Sequence, residues 1–187
     1  DNKGSDLEVT YIDSRDAGSS SVSFYDTATI VSNSGSVAFD RSVYPVPFVA
    51  ADLREGNNDK TGQDEAGNVT AWVTVTDADE TGDTLTTGSS TGAGTILVKL
   101  IEGTTTSTCF TAGSTVAQTN TNSASPQELG PLAETASGSS TYEVAVVFDE
   151  VQHCGTDMRT ITSGDIIQVE YVDTADDAGS TSTSYDS

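Results

Sequence analysis

The side chains point first to hard-cation chemistry. Of 187 residues, 29 are Asp or Glu, 7 are Lys or Arg and one is His, for a formal charge of −22. Ions such as Ca2+ are held by several carboxylate and carbonyl oxygens at once. Asp77 and Asp79 leave an alternating apolar run in a D-x-D spacing, with Glu80 and Asp83 close behind. Asp13 and Asp16, and again Asp173, Asp176 and Asp177, stand in Asp/Gly-rich turns. These aspartates are the predicted metal ligands, with Ca2+ as the predicted cofactor, gathered at strand ends where one ion would stiffen a junction. Against this, no EF-hand pattern is present, and D-x-D is also a common solvated turn.

Catalytic arrangements find little material. A Ser-His-Asp constellation would have to use His153, which sits beside Cys154. Paired carboxylates of the glycosidase kind would need aromatic sugar platforms, and Trp72 is the single Trp. Trp72 reads instead as a core anchor between sheets. The expectation is that the chain is not an enzyme. Zinc is also a poor fit, since four ligands at regular spacing are missing around His153. Asn68-Val69-Thr70 is a glycosylation acceptor, with Asn68 as the modified residue.

Cys109 and Cys154 read as one disulfide in an oxidising compartment, the other reading being two buried free thiols. With a sequence separation of 45, closure of that loop is worth roughly 3–4 kcal/mol. Scarce Lys and Arg, with Thr and Ser in their place, is a pattern common in secreted β-proteins. The acidic balance argues against nucleic acid and against anionic lipid. It suits cation binding or solubility at high ionic strength, or solubility alone. No run approaches the ~20 apolar residues of a membrane span, and the N-terminus carries no basic-then-apolar leader, so a mature chain or a fragment is expected.

The elements that must position these residues are strands. Apolar residues alternate at 7–11, 37–39, 71–76, 142–148 and 166–172, and the run 95–101 is apolar on both faces, as in a central strand. The prolines of 43–48 suit an edge strand or a kink between sheets, and 126–136 has room for one short helical turn. Residues 52–67 and 111–125 are expected to be long loops. Strands at this spacing predict an all-β antiparallel β-sandwich rather than a parallel sheet.

An internal repeat organises the chain. Residues 4–27 align on 164–187 at a constant offset of 160 without a gap: Gly4 falls on Gly164, Val9 on Val169, Tyr11 on Tyr171, Asp13 on Asp173, Tyr25 on Tyr185 and Asp26 on Asp186. The division expected is a segment 1–28, linker or donor strand, and a domain 29–187. The first copy either belongs to a neighbour in a tandem array or is exchanged between chains.

The motifs VAFDRSVYPV (37–46), VTVTDADET (73–81), LAETASGSSTYEV (132–144) and GDIIQVEYVD (164–173) follow one another in an order that resembles the immunoglobulin-like repeats of archaeal S-layer and bacterial cell-surface proteins. The resemblance covers most of 29–187 and departs from the pattern at the two long loops and at Thr141-Tyr142. It implies an all-β, immunoglobulin-like antiparallel β-sandwich that serves as a structural subunit or repeat of an extracellular microbial surface assembly, S-layer or filament, whose partners are copies of itself. The alternative is an adhesin-type module that recognises glycans or a host surface through the two loops.

Overall fold

A computed structural model describes residues 6–15, 17–18, 20–29, 33–48, 67–86, 93–114, 126–174 and 180–187. Among them there is no helix, and the strands assemble into several sheets, antiparallel but for one short parallel pair. One five-stranded sheet has the order β3 (Ser36–Phe39), β4 (Val69–Thr76), β10 (Thr141–Phe148), β9 (Leu132–Glu134) and β5 (Thr84–Leu85). The other has the order β14 (Ser182–Asp186), β13 (Ile166–Asp173), β6 (Ala93–Glu102), β7 (Thr105–Ala112) and β8 (Gln127–Glu128). Two hairpins stand apart as sheets of their own, β1 (Asp6–Asp13) with β2 (Val22–Thr29), and β11 (Val151–Cys154) with β12 (Asp157–Thr160).

Period-two alternation builds the core. On β4, Ala71, Val73 and Val75 are fully buried while Thr70, Trp72 and Thr76 face water. On β6, Ile96, Val98 and Leu100 point inward, opposite Tyr171, Val169 and Ile167 of β13. Residues of both five-stranded sheets enter one hydrophobic cluster, in which the Phe110 and Phe148 rings meet edge to face at 5.1 Å. Gly103, at a φ of 59°, supplies the left-handed position of the tight β6–β7 turn, where a side chain would be strained. The Cys109–Cys154 disulfide ties β7 to β11.

Three sequence expectations change. Trp72 is not a core anchor: it stands 46% exposed on the outer face of β4, because the small and branched Ala71, Val73 and Val75 take the inner face. Residues 126–136 form no helical turn. They give β8 and β9, which extend one sheet each and bury Leu129 and Leu132. Residues 43–48 form no strand; Phe48 N–H donates to the carbonyl of Gly67, where a Cβ would collide with the Phe48 backbone. Of the expected loops, most of 52–67 and 111–125 lies outside the described residues, and Thr111 and Ala112 belong to β7.

Candidate functional site

Asp77 and Asp173, 1% and 2% exposed, are brought to one junction between the two five-stranded sheets, with Glu80 buried nearby. Asp77 Oδ2 accepts from the Tyr171 hydroxyl at 2.6 Å, and its Oδ1 accepts from Asp79 N–H at 3.0 Å. Asp173 Oδ2 accepts from Gly35 N–H at 2.8 Å. Gly35 is required here by close approach, since a Cβ would lie 2.4 Å from the Tyr171 ring. The Glu80 carbonyl accepts from the Tyr142 hydroxyl at 3.1 Å. Asp79 turns outward and accepts from Asn33 N–H at 2.9 Å.

Burial raises the Asp77 carboxyl above its ordinary value of 3.8, with the neighbouring carboxylates of Asp173 and Asp79 adding to the rise; the bonds from Tyr171 and Asp79 N–H oppose it. Burial also pushes the Tyr171 hydroxyl up, and its bond to Asp77 adds to the shift. Among the described residues no group of three or more His, Cys, Asp or Glu is arranged to hold a metal ion. Asp13 ends β1, and Asp16, Asp176 and Asp177 lie outside the described residues. The junction is a latch: it fastens β13 to the end of β4 and to the chain entering β3.

The latch continues along β3. One edge of that strand pairs with β4, and the N–H groups on its other edge are satisfied by side chains of the β13–β14 hairpin. Val37 N–H donates to Ser184 Oγ at 3.3 Å and Phe39 N–H to Asp186 Oδ2 at 2.7 Å. The hairpin therefore closes both sheets at once, through β6 by its backbone and through β3 by Asp173, Ser184 and Asp186.

The N-terminal hairpin has the same register. Val9 pairs with Asp26, Tyr11 with Phe24 and Asp13 with Val22, as Val169 pairs with Asp186, Tyr171 with Ser184 and Asp173 with Ser182. The sequence offset of 160 is thus an offset between two like hairpins, turn length included. Their surroundings differ. Among the described residues β1 and β2 pair with no other strand, so Val9 and Tyr11 are 63% and 65% exposed where Val169 and Tyr171 are wholly buried. Tyr11 stacks on Phe24 at 6.5 Å, and Leu7 extends the same apolar stripe.

A groove of about 400 Å³ lies where the β13–β14 hairpin leaves the core, lined by Phe39, Tyr44, Pro45, Ile166, Ile167 and Ser187 among others. Beside it Asp40 accepts from the Tyr44 hydroxyl and from Trp72 N–H, and these two bonds hold its carboxyl below the ordinary value. Asn68, the acceptor of the glycosylation tripeptide, is exposed immediately before β4. His153 lies half-buried on β11 next to the disulfide. The edge-capping roles of Ser184 and Asp186 were missed by sequence reasoning. The signal for Asp186 was its retention as Asp26 in the repeat. No protein-family model matches the chain, and neither does any curated protein sequence.

Proposed function

We propose that this chain is a structural unit of an extracellular microbial surface assembly, an acidic immunoglobulin-like sandwich linked to its neighbours through the β1–β2 hairpin. The observation that carries the reading is a hairpin that duplicates β13–β14 in register while its core-type residues stand in water. Contiguous exposed apolar surface of this kind marks an interaction site. A strand pair that already has a seat in the same fold is suited to head-to-tail joining, which generates open polymers. A disulfide, few basic residues and Thr/Ser-rich solvent faces support the extracellular setting, and the resemblance of the 37–173 motifs to surface-layer repeats supports the role.

The test is electron microscopy of the purified chain beside a variant lacking residues 1–29. Filaments or sheets from the full chain, absent from the deletion variant, are expected. A full chain that stays a 19.3 kDa monomer across concentration and ionic strength overturns the reading.

A further inference from the structure

Resting on that reading, we infer that β1–β2 docks onto a second copy of this protein, in the seat that β13–β14 occupies, fastened by Tyr11, Asp13 and Asp26.

The fit follows residue by residue from the shared register. Seated in place of β13, β1 would set Leu7, Val9 and Tyr11 opposite Leu100, Val98 and Ile96 of the acceptor's β6, where Ile167, Val169 and Tyr171 now sit. Tyr11 carries the hydroxyl that Asp77 accepts from, and Asp13 carries the carboxylate that Gly35 N–H donates to. Asp26 stands where Asp186 receives Phe39 N–H. Three of the polar bonds that fix the hairpin on β3 and β4 are therefore available to the N-terminal copy. Another is not, because Phe24 replaces Ser184 and cannot accept from Val37 N–H. Lys99 now bonds Glu170 at 2.5 Å, and Thr10 takes the place of Glu170. Glu8, however, takes the place of Gln168, directly opposite Lys99, and returns a carboxylate to that cation.

The occupant of the seat is a second copy of the chain, because each copy holds two hairpins of this register and one seat, and an exchange of like elements needs no new complementarity.

Two variants of the full chain test this. Replacing residues 164–187 by the sequence of 4–27 should give a folded protein whose melting midpoint lies near that of the parent; a chain that does not fold overturns the fit. In V9C/V98C, refolded at high concentration and then oxidised, intermolecular disulfides should give a ladder on a non-reducing gel, and Tyr11→Ala added to it should weaken the ladder. V98C/V169C, whose positions face each other across β6 and β13, should close within one chain and shows that the seat forms. Closure of V98C/V169C with only monomer from V9C/V98C overturns the second copy as occupant. Polymers by microscopy without the 9–98 linkage leave the assembly standing and remove this interlock. Linkage that stops at dimers, without polymers, keeps the interlock and removes the polymeric reading.

Discussion

Tyr171 and Asp77 meet across 94 residues of chain, in one of the bonds that make the junction. Removing the hydroxyl while keeping the ring, Tyr171→Phe, leaves the core packing in place and deprives a buried carboxyl of one of its donors, Asp79 N–H being another. A loss of about 1–3 kcal/mol is expected, read as a lower denaturant midpoint at unchanged slope; a midpoint equal to the parent's would show that the bond contributes nothing. The same carboxyl sets a pH dependence. Its folded value is raised above 3.8, so the folded state holds the proton more tightly than the unfolded one. The contribution of Asp77 to stability therefore falls as pH rises from about 3.8 through the folded value, and above that the full cost of burying the charge remains. Asp40 has the opposite sign, because its carboxyl is held below 3.8; its contribution is present above 3.8 and is lost as pH falls through the folded value. Melting curves between about pH 3 and pH 7 should show Asp77→Asn gaining on the parent as pH rises. A constant difference would mean that Asp77 titrates as it would in water.

The strands differ in how far sequence alone announces them. β4, β6, β10 and β13 were legible because a strand with one or both faces buried must carry Val, Ile, Leu or Tyr at period two or continuously. β7, TTSTCFTA, was hidden, since Thr and Ser occupy most of its positions and only Cys109, Phe110 and Ala112 are buried. β8 and β9 are too short for a period to show. The face of Trp72 was misread because alternation places a residue on a side without saying which side is inward. The Asp77–Asp173 junction was half legible: both aspartates stood out at strand ends, but nothing local pairs two strand ends so distant in sequence. The duplicated Tyr and Asp at 11 and 13, and at 171 and 173, were the trace that it left. The disulfide acts at this scale too. It joins β7 to β11, and β11 with β12 forms a separate two-stranded sheet. Replacing both cysteines by Ala should cost roughly 3–4 kcal/mol and lower the melting midpoint on the order of 10 °C. Calorimetry of the double variant against the parent would measure it, and an unchanged midpoint would show that the cross-link constrains nothing that the unfolded chain explores.

At the scale of the whole molecule the charge of −22 opposes both folding and assembly. Like charges repel over a distance set by salt, about 10 Å at 0.1 M and about 3 Å at 1 M. The ion pairs at hand, such as Lys99 with Glu170 and Arg159 with Glu102 and Asp157, neutralise only a small part of the acid. Raising NaCl from about 0.05 M to about 1 M should therefore raise the melting midpoint by several degrees. The gain should vanish near pH 4.1, where the chain carries no net charge. A gain of equal size at both pH values would point to salt acting on apolar surface instead of on charge. Two copies that exchange a hairpin must approach through the same repulsion, while the face that docks is Leu7, Val9, Tyr11 and Phe24, which salt does not screen. Ionic strength should then raise the rate at which the V9C/V98C ladder forms at pH 7 and leave unchanged the closure of V98C/V169C within one chain. Equal salt dependence of the two linkages would mean that the interlock does not form between separate acidic bodies.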